Sequence, residues 1–374
     1  MKFTKITSGS LAAALVVALA IPVMSTSSAS AATNYAKITS ASQGGGMSGL
    51  VKACQKEGQL NVVALPHYWA NYEDMLTGFK AAYGVKIDEA DPEASSQSEI
   101  DQSNQLKGTN RAPDVFDIGL AVAAKYVGTG TFAPYKVKTW SYLLGSSAFP
   151  TAEVTPNYTG TMTIGYDGSL GTITSLNDLL LPKFKGKITL NGDPLGSTAG
   201  MNGVYMINKA LGGSFDDISK GVDFFKKMKD AGNFVLVNPS QATIISGQTP
   251  VVIDNGYLQA GVVKLFAAAG KSWKMYTPAS VGSTYHSAVS AWAPHPACAR
   301  LWMEYTLGET GAKVFAIGGA TPTLWVWLVK TRRAPAEGIA AIGKSKISAE
   351  AASAAQTLAA RTYLKTAWPA AVGS

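Results

Sequence analysis

Histidine, cysteine and charge are all scarce in this chain. Its 374 residues include three histidines and two cysteines, and Asp, Glu, Lys and Arg make up 15%. His67, His286 and His295 stand far apart in turn or surface settings, so neither an H-E-x-x-H nor a Cys/His zinc spacing exists. Low charge combined with 47% hydrophobic residues excludes a disordered chain, which is charge-rich and apolar-poor. Catalytic motifs are also missing. Asp167-Gly168-Ser169-Leu170-Gly171 approaches the G-x-S-x-G nucleophile elbow, but Asp stands where the first Gly permits the tight turn. Gly128 to Ala133 spells G-x-G-x-x-A yet runs into Pro134, which blocks the helix such a loop must open. There is no Walker loop, and the acids of Asp88 to Glu93 crowd one loop instead of facing each other across a cleft. No constellation for an enzyme is present.

What is there begins with an address. Lys2 and Lys5 precede an apolar run of 13 residues, Leu11 to Val23, and Ala29-Ser30-Ala31 offers a small-residue cleavage site. Thirteen residues rise only about 20 Å as a helix, too short to span a membrane. The layout predicts a signal peptide over 1–31, a mature chain starting near Ala32, and export. No Cys follows the apolar run, so a lipoprotein anchor is not expected. No later stretch offers 18 apolar residues without a charge. The 32 basic and 24 acidic residues leave +8, or +6 without Lys2 and Lys5. The basic residues are dispersed, which predicts solvated faces and no nucleic-acid partner. Cys54 and Cys298 either pair in an oxidising compartment or lie apart as small buried hydrophobes.

Residues 32–47, rich in Ser, Ala, Thr and Gly, read as a flexible leader. Beyond them helices and strands alternate. LNVVAL (60–65) is a buried strand. Tyr72, Met75, Leu76 and Phe79 recur at helical spacing until Gly84 stops the helix. Val85 to Ile87 is a short strand, Ser96-x-x-Glu99 reads as a capping box, and PDVFDI (113–118) is a further strand. The same grammar returns with KITL (187–190), a helix from about Met201 to Leu211, a helix within 216–231, and the strand PVVI (250–253). Ser348 to Leu364 is an Ala-rich helix. Two α/β units joined by extended crossings near Tyr158 to Gly165 and Tyr285 to Trp292 would make a two-domain clamp.

Six stretches, KEGQLNVVAL (56–65), RAPDVFDIG (111–119), LPKFKGKITLNGDP (181–194), DFFKKMKDAGNF (223–234), TPVVIDNGYL (249–258) and APHPACARLWMEYTLGETG (293–311), together resemble the extracellular solute-binding proteins of bacterial ABC importers. The likeness is to the branch holding polyamine, ferric-iron, thiamine and phosphonate binders. It implies a two-lobed, periplasmic-binding-protein-like α/β fold, with two open sheets joined by two hinge crossings. Lobe 1 would comprise 48–157 plus 292–374, and lobe 2 would comprise 158–291. It also implies a small-molecule solute, a membrane permease as partner, no cofactor and a monomeric receptor. Iron carriers of this branch usually have a twin Tyr. Here Asp254-Asn255-Gly256-Tyr257 offers one phenolate, which disfavours ferric iron.

In open α/β sheets ligands sit beyond the carboxyl ends of the strands. That rule nominates Tyr68 and Trp69 after the first strand, Ser96 before its helix, Asp117, Ser197 and Thr198 at a helix start, and Asp254 with Tyr257. An amine would use the aromatic faces, with Asp117 or Asp254 as counter-charge. A phosphonate or carboxylate would use N–H groups at Ser197 to Gly200. The amine is the favoured expectation, with the organic anion as alternative and a secreted enzyme on the same scaffold as the competing class. The two-crossing arrangement puts Cys54 and Cys298 in one lobe, where a bridge is possible.

Overall fold

The computed structural model describes residues 33–345 and 349–373. The expected signal peptide lies outside the described residues. Ten strands lie among the described residues: β1 (Gln59–Val63), β2 (Lys86–Ala90), β3 (Val115–Gly119), β4 (Phe132–Ala133), β5 (Thr155–Asp167), β6 (Ile188–Leu190), β7 (Val251–Asn255), β8 (Trp273–Tyr276), β9 (Gly282–Ser290) and β10 (Thr321–Pro322). The helices are α1 (Gly46–Glu57), α2 (Tyr72–Tyr83), α3 (Ser96–Gln105), α4 (Leu120–Tyr126), α5 (Thr198–Ala210), α6 (Ser219–Asp230) and α7 (Gln241–Ile245). After them come α8 (Gly256–Ala268), α9 (Pro296–Thr306), α10 (Glu309–Ile317), α11 (Trp325–Lys330), α12 (Ala336–Ile342) and α13 (Ala354–Val372). No helix among the described residues is long and apolar enough to cross a membrane.

The apolar periodicity of α2 holds: Tyr72, Met75, Leu76 and Phe79 are all buried, and Gly84 ends the helix at φ 67°. That left-handed turn is why a glycine stands there. Strands β1 and β2 pair in parallel, while β3, β9, β5, β7 and β6 lie side by side in that order. Only β6 and β7 are parallel within this second group, so the sheet is mixed and not wholly parallel. Strand β5 is the longest. Its first half pairs with β9 and its second half with β7 and β8. Strand β9 likewise runs from β5 to β3 and β4. These two strands are the connections expected near Tyr158 to Gly165 and Tyr285 to Trp292.

Two large apolar cores stand out among the described residues. One gathers Leu60, Phe79, Leu301, Phe315 and Trp325, and the other Ile188, Met201, Phe225, Ile253 and Trp368. Helix α13 belongs to the second: Leu364, Trp368 and Val372 are buried there, with Trp368 edge-on to Phe225 and Phe234. The expectation that all of 292–374 joins the first lobe is therefore corrected for this helix. It also starts later than expected, at Ala354, where Ser353 and Gln356 form a reciprocal capping box.

The leader is corrected too. Ile38 and Ala41 are buried in the first core, and the Tyr35 hydroxyl donates to the carbonyls of Gly44 and Gly49. The buried Arg300 guanidinium donates to the carbonyls of Ala36 and Ile38, so residues 34–45 are tied down by a charge that needs those acceptors. Cys54 on α1 and Cys298 on α9 form a disulfide, with Cα atoms 4.4 Å apart. Beside it, the Glu57 carboxylate accepts the free N–H groups of Ala297 and Cys298 at the start of α9. His286 and His295 are buried, contrary to a surface setting. His295 Nδ1 lies 2.9 Å from Asp114 Oδ2, and the His286 ring meets Phe149 edge-on.

Candidate functional site

Strand β3 ends at Asp117, Ile118 and Gly119, strand β6 ends at Leu190, and helices α3 and α5 begin nearby. Between these ends lies a cavity of about 370 Å³. The two sides touch at its rim: the Gln97 N–H donates to the Gly196 carbonyl at 3.3 Å. They also meet at Gly119. A Cβ there would fall 2.1 Å from Thr198 Oγ1, so only glycine lets α5 approach β3 this closely.

The lining is acidic. Asp91, Glu93, Glu99, Asp117 and Asp193 all contribute, with Ser95, Ser96, Ser98, Ser197, Asn191 and Asn238 as neutral polar groups. No Lys, Arg or His is among the described lining residues. Trp69 and Tyr285 supply the aromatic surface. A narrow hollow continues past Trp69, Asn191 and Pro239 to Tyr68 and Asp254.

Asp117 is the most connected of these acids. Its Oδ2 accepts from Tyr72 at 2.7 Å and from the Tyr158 hydroxyl, while Oδ1 has no hydrogen-bond partner. Its backbone N–H donates to Glu99 Oε2 at 3.0 Å. Burial pushes Asp117 up to about 6 despite the two tyrosine hydroxyls that favour its charge. Burial also holds Glu99 well above the usual carboxylate range, and the neighbouring Asp117 adds to it. Asp254 rises to about 7 for the same first reason, opposed by donors from Asn191 and the Asn255 N–H. Glu99 and Asp117 thus stand side by side, with Asp254 in the adjoining hollow, and none of the three is ion-paired to a cation among the described residues.

A family model, the bacterial extracellular solute-binding protein, matches residues 110–337, more than half of the chain. The chain belongs to that family. Its members are solute receptors of ABC importers, with a small-molecule ligand and a membrane permease as partner. No curated protein matches the sequence. Among solved structures, the periplasmic binding protein P5PA is similar at 16% identity and a TM-score of 0.63, covering 84% of this chain and 99% of its own. A periplasmic thiamin binding protein reaches a TM-score of 0.63 at 15% identity, over 84% of this chain and 96% of its own. AfuA from Actinobacillus pleuropneumoniae, with fructose-6-phosphate bound, reaches 0.56 at 18% identity, over 71% and 85%. These likenesses show a shared two-lobed α/β fold.

In this solute-binding protein, Trp69, Ser96, Asp117 and Ser197 line the main cavity. Tyr68 and Asp254 line the adjoining hollow, and the Tyr68 hydroxyl donates to Glu93 at 3.2 Å. Two nominated residues do not reach the cavity. Thr198 is buried under Gly119, because it begins the helix that packs on β3. Tyr257 is a core residue: its ring lies against Gly160 and edge-on to Tyr158 at 5.5 Å. Ser96 also differs in role. The cap of α3 is Ser95, which accepts from the Ser98 N–H, whereas Ser96 accepts from the Gly119 N–H. Glu99 is thereby free of capping and faces Asp117. Ser197 does cap α5, accepting from the Gly200 N–H at 3.0 Å.

Several lining residues escaped sequence reasoning. Asn191 and Asp193 follow directly on the strand ending at Leu190, so the strand-end rule applied to them as well. Glu99 was hidden by its capping spacing, and Asp91 and Glu93 by reading their acids as crowded on one loop and not facing a cleft. Asn238 carried no signal.

Proposed function

We propose that the cleft captures a small, polyamine-like amine and hands it to the importer's permease. The observation carrying this reading is the acidity of the lining: five carboxyl groups, with Asp254 in the adjoining hollow, and no basic residue among the described lining residues. A buried carboxylate without a counter-ion is costly, and an ammonium group supplies both charge and N–H donors. Asp117 Oδ1, which lacks a partner, is the acceptor for one ammonium N–H. Trp69 and Tyr285 give faces for methylene groups and for cation–π contact.

Capture works by hinge closure about β5 and β9, with the ligand binding the closed form better than the open one. We assign 48–157 and 292–353 to one lobe, and 158–291 together with α13 to the other. The first 31 residues serve as the export signal, and the receptor acts as a monomer without turnover.

The start of α5 at Ser197 supports a second reading, an organic anion held by helix N–H groups. The surrounding acids weigh against it, since like charges repel strongly where the effective dielectric is low. A thermal-shift screen of putrescine, spermidine, alkylphosphonates and sugar phosphates separates the two. Amines should raise the melting temperature saturably and be recovered unchanged. Stabilisation by the anions alone would replace the amine reading with the second.

A further inference from the structure

A second cavity, of about 590 Å³, opens on the outer side of the rim contact. Its walls come from α3 (Gln97, Asp101), α4 (Lys125), the loop at Leu195, and α13 (Arg361, Thr362, Lys365). Three basic side chains and one carboxylate line it. The Asp101 carboxylate is engaged by the Gln97 amide at 2.9 Å.

Arg361 is the unusual member. It is 8% exposed, yet no carboxylate lies within ion-pair distance of it among the described residues. Its Nη1 donates to the Leu195 carbonyl, while Nε and Nη2 have no hydrogen-bond partner. Burying a guanidinium with two idle nitrogens is expensive. Nearby, the Lys125 ammonium has only the Gln97 amide oxygen at 3.3 Å and the Tyr126 ring. Lys365, exposed on the next turn of α13 after Arg361, has no partner among the described residues.

We infer that this cavity is an anion site, separate from the cleft, for a small tetrahedral oxyanion of the phosphate or sulfate class. The exposed ammonium groups of Lys125 and Lys365 face the ion, and the guanidinium of Arg361, whose idle Nε and Nη2 lie just beneath the surface, adds uncompensated positive charge to the floor. Helices α3 and α4 form one wall of the site, and the Leu195 loop and α13 the other.

The test is calorimetric titration of the amine-free full-length mature protein with sodium phosphate and sodium sulfate at constant ionic strength, against chloride. The lysine variants separate this site from the cleft, whose described lining holds neither lysine nor arginine. We expect saturable binding of the divalent anions and none of chloride. Lys125→Gln with Lys365→Gln, both exposed and safe for folding, should weaken binding at least tenfold, and Arg361→Gln should abolish it. Equal responses to all three salts would overturn the proposal, as would undiminished binding by the double lysine variant.

Discussion

Tyr158, on the crossing strand β5, donates its hydroxyl to the carboxylate of Asp117 at the end of β3. The same ring stacks on Tyr285 of the other crossing strand, β9, with planes 1° apart and centroids 5.6 Å apart. Asp117, which lines the cavity, is therefore bonded to one crossing strand and, through the Tyr158 ring, linked to the other. Tyr158→Phe keeps the ring and removes one donor from a buried carboxylate. Because that donor favours the ionised form of Asp117, its loss should push the carboxyl further up, and amine affinity near pH 7 should fall severalfold. Titration calorimetry on a variant with an unchanged circular dichroism spectrum checks it; unchanged affinity would detach the hinge from the site.

The pH dependence follows from Asp117 and Asp254, pushed up to about 6 and about 7 by burial. A cation prefers their ionised forms, so affinity should weaken as pH falls from 8 to 5, by up to about tenfold per unit for each carboxyl that must lose a proton. Free-protein stability moves the other way. Each folded value lies above the ordinary carboxylate value, so the stabilisation from these two groups is full below about pH 4 and is lost as pH rises through 6 and 7. The amine-induced melting shift should accordingly be largest near pH 8 and shrink towards pH 5. A shift independent of pH would show that neither carboxyl meets the ligand.

Trp69 and Tyr257 separate site from core. Trp69→Ala should cost about 1–3 kcal/mol of binding through lost apolar contact and cation–π attraction, with folding nearly intact. Tyr257→Ala should instead destabilise the fold by about 3–5 kcal/mol, the range for emptying a buried aromatic position. Chemical denaturation beside calorimetry distinguishes them, and the reverse pattern would exchange their roles.

These two residues also mark how far the sequence was legible. Helix α2, the strand ends and both crossings follow from apolar period and strand grammar, because those signals are local. The strand-end rule found Trp69, Asp117 and Ser197 for the same reason. It misplaced Tyr257 because position after a strand does not say which way the following helix turns its ring; Gly160, almost a hundred residues away, provides the space that ring fills. Glu99 was masked by a plausible local role. The Cys54–Cys298 bridge, and Arg300 holding the 36–38 segment, depend on contacts across some 240 or more residues that no spacing rule encodes.

Reduction tests the bridge. In the chain-entropy account, a disulfide closing so long a loop contributes about 2–5 kcal/mol. Cys54→Ser with Cys298→Ser should lower the melting temperature while leaving amine affinity within about twofold, since the bridge joins α1 to α9 away from the cavity. Thiol titration of the denatured, unreduced protein should detect no free thiol; two would refute the pairing.

The central claim, that the acidic cleft selects a cation through Asp117, is tested most directly by titrating wild type and Asp117→Asn with spermidine and with an alkylphosphonate at pH 8. Asparagine keeps the shape and removes the charge. The account predicts saturable spermidine binding by the wild type, weakened at least tenfold in the variant, and no phosphonate binding by either. Phosphonate binding by the wild type that tightens when Asp117 loses its charge, with spermidine inert, would contradict it.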